Sequence, residues 1–277
     1  MSMISYRPGV PGLVPDAWIV SPETPNTAPP VVVVHGIQRQ AGEMAFLLRR
    51  RAVETRRTLI MPVFTPNHWK RYQRAACPQR SDLALFALLQ ALRAEGTIAP
   101  GRFDMAGFSG GAQFTHRFAW LYPDAVGRLC LAAPGWWTFP EKETAWPYGV
   151  GRGTVRRKHI GLTLQINLPR FLNREIVVCV GDRDFARDAN LRAGPAIDAQ
   201  QGPTRVARAD RWCKAMQKAA DRMGITADLS FKYLPGCGHS FARCATSGRL
   251  DRLFVTARQV RAAQHHPTTP ILERNAA

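Results

Sequence analysis

The chain has no apolar stretch approaching the roughly 18 residues that a bilayer-spanning helix requires, which argues against a membrane span. Residues 1–8, Met-Ser-Met-Ile-Ser-Tyr-Arg-Pro, lack the apolar centre of a secretory signal. The two absences together make a soluble, cytoplasmic protein the expectation. Cysteine is sparse and unpatterned: of six, none forms a CxxC pair, and the spacing of Cys237 and Cys244 is no usual metal pattern. Cys130 and Cys179 lie in apolar runs, where a thiol serves as a small core hydrophobe. No metal site is expected. Acidic residues are also scarce, 20 against 38 Lys and Arg, for a formal charge of +18. Yet there is no long basic tail, no nucleic-acid motif and no basic run interleaved with aromatics. The arginines are spread along the chain, with short clusters at residues 49–51, 56–57 and 156–158. They are read as composition, and no nucleic-acid partner is expected.

What is present suits one large domain of 277 residues, 45% apolar, with seven Trp and 13 Phe. Short apolar runs at 31–34, 58–63, 103–106, 129–133 and 176–180 read as strands covered on both faces of a parallel sheet. Residues 17–20 read as an edge strand, and 227–233 alternate as a strand with unlike faces. Between the runs lie helical patterns. One is capped by Ser81 and stops at Gly96, one follows Ser109 and ends at Pro123, and one begins near Asp210 and stops at Gly224. A last helix covers roughly 244–263, and 264–277 reads as a solvated tail. Strand and helix in alternation predict an α/β fold with a doubly wound sheet and helices on both faces. Residues 136–173 form an insertion with Trp136, Trp137, Trp146 and Tyr148, read as a small lid or pocket wall.

Gly107-Phe108-Ser109-Gly110-Gly111 is the centre of the functional reading. A G-x-S-x-G pentapeptide between a strand and a helix carries its serine on a sharp turn that only very small neighbours permit. Serine needs a base to accept its proton as it attacks. Of seven histidines, His239 follows the alternating strand directly, where catalytic groups gather in open α/β sheets. His35 and His116 read as turn and helix residues. The base needs a carboxylate, and Gly181-Asp182-Arg183-Asp184 follows the run 176–180. Either aspartate suits the order Ser…Asp…His. Asp184 is preferred because the extra residues let it turn over the sheet edge, with Asp182 left to cap the turn. The oxyanion needs two N–H donors, expected at Gly110 and at Ile37, in the turn after 31–34. Phe108, Phe64, His68, Trp69, Trp136 and Trp137 are candidate substrate walls, suited to apolar acyl or aryl groups. Arg39 and Arg183 read as surface residues beside the site. The segment 200–205 has no assigned role.

Val-Val-Val-Val-His-Gly, Gly-Phe-Ser-Gly-Gly-Ala, Val-Gly-Asp-Arg-Asp and Pro-Gly-Cys-Gly-His together resemble the α/β-hydrolase superfamily over about residues 30–262. The resemblance is closest to its small esterase and polyhydroxybutyrate-depolymerase-like branch. It implies a Ser109–Asp184–His239 triad and no cofactor but transfers no substrate; a small-molecule ester is the substrate expected for such a triad. Peptidase, thioesterase, lactonase and acyltransferase activities would use the same triad, and a non-catalytic binding protein could share the fold.

Overall fold

Val31–Val34 (β3) is four β-branched residues in succession, each completely buried. A strand without a polar face must be covered on both sides, which places it inside a parallel sheet. The computed structural model, which describes residues 2–76, 78–151 and 158–256, has it there. The other strands are β1 (Ser2–Arg7), β2 (Asp16–Pro22), β4 (Leu59–Val63), β5 (Phe103–Phe108), β6 (Val126–Ala132), β7 (Glu175–Gly181) and β8 (Leu229–Leu234). Together they form one sheet in the order β1-β2-β4-β3-β5-β6-β7-β8. β2 is antiparallel to β1 and β4, and the remaining neighbours are parallel.

The helices are α1 (Ala41–Thr55), α2 (Ser81–Ala94), α3 (Gly110–Leu121), α4 (Lys158–Leu172), α5 (Pro195–Gln201), α6 (Arg205–Arg222), α7 (Phe241–Thr246) and α8 (Leu250–Val255). The crossover from β3 through α1 to β4 steps one way across the sheet, and every later crossover steps the other way. Right-handed crossovers therefore put α1 on one face and α2 to α6 on the other. The packing agrees: α1 touches α7 and α8, while α4 touches both α3 and α6. The reversal at β3 opens a crevice between the carboxyl ends of β3 and β5, where ligands bind in open α/β sheets.

The expected strands are all present, with differences at the margins. Residues 17–20 lie in β2, one strand inward of the edge, because β1 pairs outside it from Ser2↔Pro22 to Arg7↔Ala17. Ser81 caps nothing: it is the first residue of α2, and its hydroxyl donates to the carbonyls of Tyr72 (2.9 Å) and Ala75 (3.1 Å). The helix expected from Asp210 starts at Arg205, with Thr204 as its N-cap. The helix expected over 244–263 is two, α7 and α8, parted at 247–249; its remainder from 257 and the tail 264–277 lie outside the described residues. So do Cys77 and Arg156-Arg157. The insertion 136–173 contributes α4 to the helical layer. There Trp120 donates to the Leu164 carbonyl at 2.8 Å and stacks on Phe171 at 5.2 Å. No described helix is long and apolar enough to cross a membrane.

Candidate active site

Ser109 follows β5 directly and precedes the first residue of α3, with φ 53° and ψ −116°. A side chain at positive φ is strained, and the surroundings must hold it there. Two glycines make that possible. A Cβ on Gly107 would come within 2.5 Å of the Gly111 carbonyl carbon, and one on Gly111 would overlap the Val34 carbonyl oxygen. The turn is thereby drawn tight against the end of β3. It also aims the N-terminus of a 12-residue helix, the positive end of its dipole, at the space beside Ser109.

The parallel strands β3, β5, β7 and β8 deliver their following loops to one edge of the sheet. There three side chains distant in the chain meet. Asp184, beyond β7, lies 2.8 Å through Oδ2 from His239 Nδ1, and His239 Nε2 lies 3.0 Å from Ser109 Oγ. A carboxylate only accepts, so Nδ1 carries the imidazole proton and Nε2 accepts from the serine hydroxyl. Asp184 is buried, whereas the His239 side chain is 19% exposed and opens to the cavity. The acid and base loops are joined through their backbones, with Arg183 N–H donating to the Cys237 carbonyl at 2.9 Å. The Phe108 ring stacks on His239 at 5.0 Å and meets Phe241 edge-on at 5.6 Å, which fixes the imidazole plane. Asp182 does not cap the turn; its Oδ1 is buried without a hydrogen-bond partner.

The turn after β3 brings the Ile37 amide close to Gly110: a Cβ on Gly110 would lie 3.3 Å from Ile37 N. The Ile37 amide donates to no backbone carbonyl among the described residues. The Gly110 amide, at the start of α3, has no intrahelical acceptor. His35 is fully buried and holds this turn from within. Its Nε2 accepts from the Phe64 N–H at 3.0 Å, so Nδ1 donates to the Gly36 carbonyl at 2.8 Å. Burial pushes its pKa down to about 4, which keeps it a neutral, two-ended clip. Tyr72 donates to the His35 carbonyl at 2.7 Å, and Arg39 donates to the Phe64 and Ile37 carbonyls at 2.7 and 2.8 Å. Tyr72 was not legible as a site residue because it acts through a carbonyl, which leaves no mark in sequence.

Above Ser109 lies a cavity of about 380 Å³ lined by the 36–40 turn, Glu43, Met44, Phe108, Asp188, Asn190 and residues 239–242. Its walls are polar and apolar in about equal measure. Of the aromatic residues expected there, only Phe108 lines it. Phe64 and Trp69 are buried behind the turn, packed with Tyr72 and Phe114. His68 is exposed and meets the Trp69 ring edge-on at 5.7 Å. Trp136 lies under the Arg117 guanidinium at 3.9 Å, and Trp137 stacks on Trp212 at 4.3 Å. These rings build core between layers because their bulk stabilises most where no water remains. Arg183 is exposed and does not line the cavity.

The segment 200–205 proves to be a brace. Gln201 accepts from the Trp137 N–H at 2.8 Å and donates to the Trp137 carbonyl at 3.1 Å. Arg205, 1% exposed, reaches Asp184 Oδ1 at 3.3 Å and both oxygens of Asp188 at 2.8 and 3.1 Å. Among the described residues no group of three or more His, Cys, Asp or Glu side chains is placed to hold a metal ion.

No family model matches the chain, and no curated protein sequence matches it. Solved structures do. Poly(aspartic acid) hydrolase-1 from Sphingomonas sp. KT-1 superposes with a TM-score of 0.74 at 19% identity, covering 91% of this chain and 98% of its own. A poly(3-hydroxybutyrate) depolymerase from Bordetella parapertussis gives 0.71 at 26% identity, covering 86% and 82%. An S-formylglutathione hydrolase from Staphylococcus aureus gives 0.56 at 14% identity, covering 92% and 96%.

Proposed function

We propose that this chain, which belongs to the α/β-hydrolase superfamily, is a serine hydrolase that cleaves carboxylic esters through an acyl-enzyme. The observation that carries the reading is the pair of hydrogen bonds on His239, 3.0 Å to Ser109 Oγ and 2.8 Å to Asp184 Oδ2. Ser109 Oγ attacks the ester carbonyl carbon as its proton passes to His239 Nε2. Asp184 holds the imidazole in the accepting tautomer and stabilises the imidazolium. The tetrahedral oxyanion is received by the Ile37 and Gly110 amides, aided by the dipole of α3. Collapse expels the alcohol, which takes the proton from Nε2. Water then repeats the sequence on the acyl-Ser109 ester and frees the acid.

The cavity is small and mixed in lining, and of the expected aromatic residues only Phe108 reaches it, which favours short acyl groups over the aryl groups that the sequence suggested. The three similar structures are named for a polyamide, a polyester and a thioester substrate, and one relay serves all three bond types. The test is covalent. A fluorophosphonate probe should label the wild-type protein, and Ser109→Ala should abolish labelling; equal labelling of the two removes Ser109 from this role. A panel of matched esters, thioesters and amides compared by kcat/KM should then rank short-chain esters first.

A further inference from the structure

We propose that Arg205 is a positioning residue for Asp184 and that Arg205 and Asp188 together set the pH range over which the Ser109–His239–Asp184 relay works. The inference rests on the serine-hydrolase reading above. It begins with the two oxygens of Asp184. Oδ2 is committed to His239, and the hydrogen bond on Oδ1 comes from Arg205 Nη1 at 3.3 Å. Both side chains are buried, at 0% and 1% exposure. A carboxylate withdrawn from water needs a compensating charge, and a buried guanidinium needs one in turn. Asp188 supplies the second: it grips Arg205 through both oxygens, and its side chain is 34% exposed at the cavity wall. Arg205 Nη1 also donates to the Ala186 carbonyl at 3.3 Å, so one side chain ties the whole 184–188 loop. The hydrogen bond from Arg205 holds Asp188 ionised, at about 2.

Three charges thus run from the cavity to the relay: Asp188 negative, Arg205 positive, Asp184 negative. Every uncompensated negative charge near His239 favours the imidazolium, which cannot take the serine proton. Arg205 cancels one of the two. Other ionisable groups around the site include Asp182 and Arg183 beside Asp184, Cys237 beside His239, and four that face the relay from packed elements: Cys244 on α7, Arg208 on α6, and Arg39 and Glu43 across the cavity. Burial pushes the Cys244 thiol up to about 12, so it stays neutral. Arg208 is committed to Asp198 and to the carbonyls of Gly135, Arg192 and Gly202. None of the four is altered in the variants below.

The experiment is the pH profile of kcat/KM on a short-chain ester for the full-length wild type, Arg205→Gln, Arg205→Lys and Asp188→Asn. Arg205→Gln should move the acid limb up by about one pH unit and lower the plateau roughly tenfold. Arg205→Lys should return the limb toward its wild-type position but not the plateau, since an ammonium cannot span two carboxylates as the planar fork does. Asp188→Asn should move the limb the other way, down by about half a unit, because it removes a negative charge. A role in folding alone would lower activity equally at every pH. An unmoved limb in Arg205→Gln, or limbs that move the same way in Arg205→Gln and Asp188→Asn, overturns the proposal. Should Arg205→Gln fail to fold by circular dichroism, the half-exposed Asp188→Asn decides: an unmoved or raised limb overturns it. Wild type without Ser109-dependent labelling would instead refute the underlying reading.

Discussion

Ser109 is held at φ 53° by neighbours that have no side chains, and each neighbour is answerable to a particular atom. Gly111 faces the Val34 carbonyl oxygen and Gly107 the Gly111 backbone. Gly111→Ala must push α3 away from β3, and we expect a loss of about 3 kcal/mol, read by chemical denaturation. Asp184→Asn asks a different question of the same site. The amide can donate to Nδ1 and so favours the wrong tautomer, while Asp188 still compensates Arg205. The fold should persist, with kcat down by about 10⁴ and KM little changed. Ser109, Asp184 and His239 were legible because each ends a strand pattern in a Gly-rich turn. The lining of the cavity was not, because an aromatic residue in sequence reads the same whether it lines a cavity or fills a core. Phe64, Trp69, Trp136 and Trp137 are core.

At the level of elements, apolar periodicity found α2, α3 and most of α6, and missed the start of α6, where the inward side chains are charged. The first turn of α6 points Arg205 and Arg208 inward, at 1% and 0% exposure, so its pattern begins only at Ala209 and Trp212. Arginine buried against carboxylates and carbonyls carries no hydrophobic signal, which is why the brace on Asp184 stayed hidden. The helix α1 was obscured for another reason: its inward Met44, Ala45, Leu48 and Ala52 are spaced for burial, but the outward Arg49-Arg50-Arg51 interrupts the run. The turn after β3 depends on a short 3₁₀ segment, Tyr72–Arg74, whose tyrosine donates to the His35 carbonyl at 2.7 Å. Tyr72→Phe keeps the ring stacked on Phe64 and deletes only the hydroxyl. The unsatisfied carbonyl should cost about 1–3 kcal/mol of stability. Freed motion of the Ile37 amide should lower kcat roughly tenfold while KM stays near its wild-type value. An unchanged kcat would separate Tyr72 from the oxyanion role proposed for the Ile37 amide.

For the whole molecule, the consequence of burying neutral histidines in so basic a chain is sensitivity to acid. Folded His35 titrates at about 4 against 6.5 for the free group, because it is fully buried. Between these values the unfolded chain binds a proton that the folded chain refuses, so stability falls as pH falls. Its contribution is complete above pH 6.5 and lost as pH drops through 4. Burial shifts His116 in the same direction. The charge of +18 adds self-repulsion as carboxylates protonate, again in that direction, but the two causes respond differently to salt. Repulsion among surface charges is screened at high ionic strength, whereas the proton uptake of a buried imidazole is not. Denaturation should therefore show a pH slope that survives 1 M salt (roughly 3 Å of screening length). In His35→Gln that residual slope should be smaller by about 1.4 kcal/mol per pH unit, the value for one proton. A slope that salt removes entirely, with no difference in the variant, would assign the acid sensitivity to surface charge alone.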